Sequence, residues 1–78
     1  MKHIHVIKAF SKKLQEVRMK EGYSVLELAR RSGVSRQHIR DLELADKAVT
    51  IRTLCKLANA LETPMWKLLN FGEARCKW

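Results

Sequence analysis

The stretch LARRSGVSRQHI, Leu28–Ile39, has the apolar spacing of an amphipathic helix but is interrupted in its middle by Gly-Val-Ser. Ala29 lies four positions before Gly33, and Ile39 lies six positions after it. Because glycine adopts left-handed backbone conformations without a Cβ clash, Gly33 is predicted to turn the chain between two short helices. A small Ala29 lets these helices approach closely, and Ile39 is predicted to fill their shared core. The stretch therefore predicts a tight corner between two packed helices.

Helix-start signals recur on both sides of this corner. Ser24, Ser35 and Thr50 each precede a segment with helical apolar spacing. They are predicted N-caps, because a hydroxyl oxygen can accept a hydrogen bond from an N–H group of the first turn. Glu27, three residues after Ser24, is predicted to reach back and complete a capping box. Three helices are therefore predicted to begin with the same chemistry.

Two further helices are predicted, one before and one after these three. The first, of about fifteen residues, carries an apolar stripe at spacings of three and four residues and ends at Gly22 as a C-terminal cap. The stripe consists of Ile7, Phe10, Leu14 and Val17. Thr63, directly before a proline, is the predicted cap of a last helix at about residues 64–71. Since no segment alternates apolar and polar residues as a strand would, the prediction is an all-α chain of five helices in a single domain, residues 1–78.

The charge of the chain limits its partners. Sixteen Lys and Arg residues against eight Asp and Glu residues give a net charge of +8. A small domain this basic is attracted to nucleic acid or to an anionic membrane surface, and charge alone does not choose between them. No apolar run of about 18 residues occurs, and the N-terminal segment lacks the pattern of a signal peptide. We therefore expect a cytoplasmic protein without membrane attachment.

Reactive and metal-binding side chains are sparse. Cys55 falls at helical spacing among apolar residues and is predicted to be buried, while Cys76 lies in a polar tail, so no disulfide is expected. His3 and His5 could capture Cu²⁺ or Ni²⁺ adventitiously through a free amino terminus, but His38 and the cysteines lack the spacing of a metal site. No nucleophile with a base, pair of acids on one face or glycine-rich phosphate loop occurs. The sequence therefore predicts neither an enzyme nor a cofactor.

Three motifs, LQEVRMKEGYS, LARRSGVSRQHIRDLE and TIRTLCKLANAL, resemble the helix-turn-helix family of phage repressors, Cro proteins and their XRE-like bacterial relatives. The resemblance covers residues 10–69. The alanine, glycine and isoleucine of the family's motif fall on Ala29, Gly33 and Ile39. It implies a compact five-helix domain like that of lambda repressor, which binds DNA and has its motif at about residues 24–44.

The resemblance also implies where DNA is contacted. Residues 35–44 would form the recognition helix, which lies in the major groove. The positions that usually contact DNA fall on Ser35, Arg36, Gln37 and Arg40. Side-chain chemistry agrees, because arginine can donate two hydrogen bonds to guanine and glutamine can pair with adenine. Asp41 is expected to stay in solvent, since its carboxylate repels phosphate. The additional predicted DNA contacts, mainly to phosphates, are Ser24, Lys12, Lys13 and Lys47.

Other family features imply structural roles and differences. The family pairs the arginine of its first helix with the glutamate that ends the recognition helix, which implies an Arg18–Glu43 ion pair here. Val25 replaces the glutamine that relatives commonly carry at the start of the second helix, so a phosphate contact by that side chain is missing. Ala45 and Val49 replace a glycine and a proline of the family, so the loop before the fourth helix is expected to have a different shape.

A homodimer on a palindromic operator is predicted, because one recognition helix contacts too few base pairs for useful specificity. Apolar residues of the last helix are the predicted self-complementary patch. They are Met65, Leu68, Leu69 and Phe71, and Trp66 can join them. The segment VTIRTLCKLANALETP and the overall length are most similar to controller proteins of restriction-modification systems. An antitoxin of a toxin–antitoxin pair, or a phage Cro or repressor protein with a protein partner, is the alternative.

Overall fold

The computed structural model describes residues 2–45 and 47–70, with side chains from position 6 onward. Within these residues the chain forms five helices and no strand. The helices are α1 (Lys2–Lys20), α2 (Val25–Ser32), α3 (Arg36–Glu43), α4 (Ile51–Ala60) and α5 (Met65–Leu68). The predicted all-α fold with five helices is confirmed.

Helix α1 is longer than predicted, with 19 residues, and it ends as its glycine indicates. Gly22 has a left-handed backbone with φ of +77°. Its N–H donates to the Met19 carbonyl at 3.0 Å, and the Tyr23 N–H donates to the Arg18 carbonyl at 3.1 Å. This pair of bonds is the Schellman arrangement, which satisfies carbonyls that the helix end leaves free.

The three predicted hydroxyl caps are present. The Oγ atoms of Ser24 and Ser35 accept hydrogen bonds from N–H groups three residues later, at 3.0 and 3.1 Å. The Thr50 Oγ1 atom accepts the equivalent bond at 3.2 Å. The predicted second half of the capping box at α2 is replaced, because the Glu27 carboxylate accepts a 2.7 Å hydrogen bond from Arg31 Nε instead. Arg31, one turn further along the helix, is positively charged, so its hydrogen bond to this carboxylate is stronger than one from a neutral backbone N–H group.

The start and length of the last helix differ from the prediction. Pro64 occupies the N-cap position of α5, with no side-chain cap hydrogen bond, so the predicted cap at Thr63 is wrong. The helix has four residues, and Leu69 follows it as the C-cap. The predicted residue Phe71 lies outside the described residues. Because α5 has a single turn, its position depends on packing rather than on its own hydrogen bonds.

The core lies where all five helices meet. Helix α1 packs against α3 and α5, α2 packs against α3 and α4, and α4 packs against α5. The buried apolar side chains are Phe10, Leu14, Leu28, Val34, Ile39, Leu42, Leu54, Leu57, Ala58, Leu61 and Leu68. Within the described ranges, no helix is both long and apolar enough to cross a membrane.

The predicted burial of Cys55 is wrong. Its side chain is exposed, and it forms no disulfide with any residue that the structure describes. The buried stripe of α4 runs through Leu54, Leu57, Ala58 and Leu61. Cys55 lies about 100° around the helix from Leu54, which places it outside that stripe. Cys76 lies outside the described residues.

Candidate nucleic-acid interface

The corner between α2 and α3 has the predicted geometry. Gly33 is left-handed, with φ of 77° and ψ of 9°, and its N–H donates to the Ala29 carbonyl at 2.9 Å. A Cβ atom added at Gly33 would meet no other atom within 4 Å, so the backbone angle rather than space requires glycine. Ala29 is half-buried against the core, and Ile39 is fully buried. The corner therefore fixes the direction in which α3 leaves α2.

Helix α3 presents the predicted base-contact residues to solvent. Ile39 and Leu42 are fully buried and fix which face of the helix points inward. The residues predicted to contact DNA are exposed: they are Ser35 at the N-cap and Arg36, Gln37 and Arg40 on the helix. Four side chains that can form hydrogen bonds thus share the outer surface of a helix whose inner surface is packed.

Two polar contacts hold the C-terminal end of α3 against α1. The Ser11 side chain is buried, and its hydroxyl lies at hydrogen-bond distance from two carbonyls, Leu42 on α3 and Ile7 on α1. Sequence reasoning missed Ser11. The available signal was a small hydroxyl residue at the margin of the α1 apolar stripe, next to Phe10.

The ion pair implied by the family resemblance forms the second contact. Arg18 Nε donates to Glu43 Oε2 at 2.7 Å, and Arg18 Nη2 donates to Glu43 Oε1 at 3.0 Å. A third donor, Nη1, bonds to the Tyr23 carbonyl at 2.8 Å. The two side chains are only 12% and 9% exposed. This bidentate, largely buried pair fixes the position of α3 relative to α1.

Three side chains form a network on the outer surface of α3. Gln37 Nε2 donates to Asp41 Oδ1 at 2.9 Å, and Asp41 Oδ2 lies 3.4 Å from Lys47 Nζ. The hydrogen bond from Gln37 and the charge of Lys47 hold the pKa of Asp41 below its ordinary value, against partial desolvation. Asp41, expected to lie in solvent rather than on DNA, has a side chain that is 16% exposed and in contact with Gln37 and Lys47. Its spacing of four residues from Gln37 was the signal in the sequence.

The structure separates the predicted phosphate contacts into two groups. Ser24 is exposed at the N-terminus of α2, and Lys47 lies beside α3 through its contact with Asp41. Lys12 and Lys13 instead line a groove with Asn70, on the side where α1 meets α5. The α1 residue that shares a groove with Arg40 is Gln15.

The predicted dimer patch is only partly available at the surface. Leu68 is fully buried in the core of its own chain, so it is removed from the predicted patch. Trp66 is 63% exposed and Leu69 is 46% exposed, while Met65 packs partly on the core. A helix of a single turn keeps its position only if one side packs against the core, and Leu68 provides that contact.

Potential metal ligands do not cluster in the part of the chain that the structure describes. Among those side chains, no three His, Cys, Asp or Glu residues group to hold an ion. The side chains of His3 and His5 lie outside the described part.

A capped corner of two short helices, with a polar outer surface on the second, defines a helix-turn-helix domain. The chain belongs to the Helix-turn-helix family, whose HTH_3 model matches residues 14–65. The matched residues include the whole corner between α2 and α3.

Three individual proteins are similar to this chain in sequence or in structure. The crystal structure of the restriction-modification controller protein C.AhdI from Aeromonas hydrophila matches with a TM-score of 0.78 and 31% identity, over 80% of this chain and 94% of that one. An HTH-type transcriptional regulatory protein of Pyrococcus abyssi is 34% identical over 64 residues, 82% of this chain. Its counterpart in Pyrococcus horikoshii is 32% identical over 66 residues, 85% of this chain. The chain spans about a fifth of the length of these two relatives, 20% and 21%.

Proposed function

We propose that this chain is a sequence-specific regulator of transcription that contacts double-stranded operator DNA with α3. The observation that carries the proposal is the exposed set of Arg36, Gln37 and Arg40 on a helix whose opposite face is buried. Arginine and glutamine provide the donor and acceptor pairs that distinguish base edges in the major groove. The Arg18–Glu43 ion pair holds that helix in place before DNA arrives.

Backbone contacts would set the position of α3 in the groove. The N-terminus of α2, capped by Ser24, presents backbone N–H groups, which favour a phosphate oxygen. Lys47, with its side chain 62% exposed, supplies a cation beside α3. The net charge of +8 would attract the protein to any DNA, whereas α3 would supply the sequence preference.

The proposal includes a homodimer on a palindromic operator. A single helix contacts few base pairs, whereas two copies related by a two-fold axis place equivalent helices about 34 Å apart, one turn of DNA. The exposed side chains of Trp66 and Leu69, with Met65 beside them, are the proposed self-complementary surface. The protein would act in the cytoplasm, where it meets its operator.

Control of restriction-modification genes is the more specific form of this proposal. Its support is the likeness to C.AhdI, a controller protein of such a system, which the present chain covers over 94% of its length. The alternative antitoxin or phage-repressor function requires a protein partner. A restriction endonuclease or methyltransferase gene beside this one supports the controller, and a toxin gene supports the antitoxin.

The deciding experiment is selection of bound sequences from a random double-stranded DNA library. We expect the wild-type protein to select a palindrome, and Arg36→Ala or Gln37→Ala to relax one or two base pairs in each half-site. Each substitution should cost roughly 1–3 kcal/mol per half-site and leave thermal stability nearly unchanged.

Arg30→Ala is the matched control, because Arg30 is an exposed arginine on α2, with its side chain 73% exposed. This variant should select the wild-type site. If the Arg36 and Gln37 variants also select that site with undiminished stringency, α3 does not contact the bases and the proposal is wrong.

A further inference from the structure

The outer surface of α3 contains a polar network in which a predicted base-contact residue already has a partner. Gln37 Nε2 donates to Asp41 Oδ1 at 2.9 Å, one helical turn away. The Asp41 side chain is 16% exposed, and its second oxygen faces Lys47 Nζ at 3.4 Å. This network connects α3 with the segment that leads into α4.

The chemistry of Asp41 restricts the Gln37 amide to one orientation. An ionised carboxylate only accepts hydrogen bonds, whereas the glutamine amide has two N–H donors at one end and a carbonyl acceptor at the other. Rotating the amide by 180° would place its oxygen against an Asp41 oxygen. Both atoms would then be acceptors, so that orientation is unfavourable. The NH₂ end of Gln37 therefore faces Asp41, and its second N–H and its Oε1 remain available.

We propose that Asp41 is a specificity-determining positioning residue, which orients Gln37 so that it pairs with adenine and disfavours guanine. This inference rests on the proposed function, in which α3 contacts base edges. Adenine presents an acceptor at N7 beside a donor at N6, which match the remaining N–H and Oε1 of Gln37. Guanine presents two acceptors, N7 and O6, and Gln37 has only one donor left once the other bonds to Asp41.

Lys47 makes a carboxylate tolerable at this position. A carboxylate in the major groove would repel DNA phosphates, and the Lys47 ammonium group opposes that repulsion. The hydrogen bond from Gln37 and, secondarily, the charge of Lys47 hold the pKa of the Asp41 carboxyl below its ordinary value, so Asp41 is ionised at physiological pH. An ionised Asp41 can then accept from Gln37 throughout the physiological pH range.

The test measures how tightly the purified full-length chain binds the selected operator. It also measures binding to operator variants in which each base pair is replaced in turn. For Asp41→Ala we expect discrimination of adenine against guanine to fall by about fivefold or more, at the same base pair that Gln37→Ala relaxes. Asp41→Asn retains a carbonyl acceptor and should keep more of that discrimination. In the Gln37→Ala background, Asp41→Ala should change the preference no further.

Glu21→Ala is the control for loss of one negative charge, since Glu21 is an exposed residue in the turn after α1. It should change the affinity for all sequences alike. If Asp41→Ala and Asp41→Asn do the same and leave the adenine preference intact, Asp41 acts through charge alone and the inference is wrong.

Failure of the inference is distinct from failure of the proposed function. If the wild-type protein selects no sequence, or neither Arg36→Ala nor Gln37→Ala changes a base preference, the proposed function fails at α3 and the inference fails with it. If Arg36→Ala changes a base preference and Gln37→Ala changes none, only the inference fails. If Gln37→Ala changes a base preference that Asp41→Ala leaves unchanged, only the inference fails. Thermal unfolding of each variant identifies any that is misfolded. If Asp41→Ala is misfolded, Asp41→Asn is used in its place, and the NMR signals of the Gln37 side-chain amide are recorded as well. If Asp41→Asn has the same adenine preference as Glu21→Ala and those amide signals do not shift, the inference is overturned.

Discussion

At the scale of single residues, one backbone angle and one carboxylate have the largest consequences. Gly33 has the left-handed conformation that directs α3 away from α2, and nothing crowds the space around its Cα. Asp41 has a neighbour on each side of its carboxylate, Gln37 and Lys47, and connects them. Neither residue needs to touch DNA to determine how α3 would meet it.

Substitution of Gly33 should destabilise the fold in proportion to the cost of a left-handed backbone. Gly33→Ala should lower the free energy of unfolding by roughly 1–2 kcal/mol, Gly33→Val by more, and Gly33→Asn by less, because asparagine tolerates this region. Urea unfolding of the three variants measures the order. Equal losses for asparagine and valine would show that the backbone angle is not the cause.

The Asp41 carboxyl should titrate with a pKa below its ordinary value of 3.8, because Gln37 donates to it and Lys47 lies beside it. A depressed pKa in the folded state means that this interaction stabilises the fold above pH 3.8 and is lost as the pH falls through the folded-state value. NMR titration that follows the Asp41 carboxyl carbon measures this pKa. Gln37→Ala should raise the pKa, and an unchanged value would contradict the hydrogen bond.

At the scale of helices, α3 is held differently at its two ends. Its N-terminal end depends on local bonds, the Ser35 cap and the Gly33 corner. Its C-terminal end depends on α1, through the Ser11 hydroxyl and the Arg18–Glu43 pair. The orientation of α3 is therefore set partly by a helix that is distant in sequence.

Arg18→Ala should be strongly destabilising, by roughly 3–5 kcal/mol, because it leaves the Glu43 carboxylate largely buried without its partner. Chemical denaturation measures the loss. Any weakening of DNA binding in this variant should follow the loss of folded protein.

The double variant Arg18→Met/Glu43→Leu is the control, since it removes both charges and keeps much of the volume. It should recover a large part of the stability. A double variant as unstable as Arg18→Ala would show that the hydrogen bond to the Tyr23 carbonyl, rather than the unpaired charge, dominates.

Lys47 and the α1 lysines should differ in their effect on the salt dependence of binding. Lys47 lies beside α3, whereas Lys12 and Lys13 face Asn70. Lys47→Ala should weaken binding to all sequences alike and reduce the log–log salt slope by about one for each phosphate that the lysine would otherwise neutralise. Titrations at several salt concentrations measure the slopes. Equal reductions for Lys13→Ala would show that DNA also covers the surface between α1 and α5.

At the scale of the whole molecule, each exposed surface has its own composition. The outer face of α3 is polar, and the α1–α5 groove carries Lys12 and Lys13. The surface of α5 presents apolar side chains, Trp66 and Leu69. Leu69 also lines a pocket with Lys47, so the apolar surface at α5 adjoins the cation that lies beside α3.

The α5 surface should form the proposed dimer. Leu69→Glu should yield a folded monomer that binds the operator more weakly, because Leu69 is 46% exposed and its replacement disturbs little of the core. Leu68→Glu should instead unfold the chain, since that side chain is fully buried. Sedimentation and thermal unfolding measure both outcomes. A wild-type protein that is monomeric both free and on DNA would contradict the dimer.

The sequence alone determined the features that depend on neighbouring residues. Hydroxyl caps at Ser24, Ser35 and Thr50 and glycines at the ends of α1 and α2 were all predicted, because a cap or a left-handed turn involves atoms only a few positions apart. The exposed face of α3 followed from helical periodicity for the same reason. The fold class and the exposure of Arg36, Gln37 and Arg40 were therefore predictable before any tertiary contact was known.

Where the apolar spacing of a helix was compatible with more than one buried side, tertiary structure decided which side is buried. It also decided which surfaces that are distant in sequence come into contact. It placed Cys55 outside the α4 stripe, buried Leu68 beneath a single-turn helix, and brought the Ser11 hydroxyl to a carbonyl of α3. It also placed Lys12 and Lys13 in a groove with Asn70. These outcomes depend on how five helices fill one shared core, since packing fixes the rotation of each helix about its axis more closely than its own apolar spacing does.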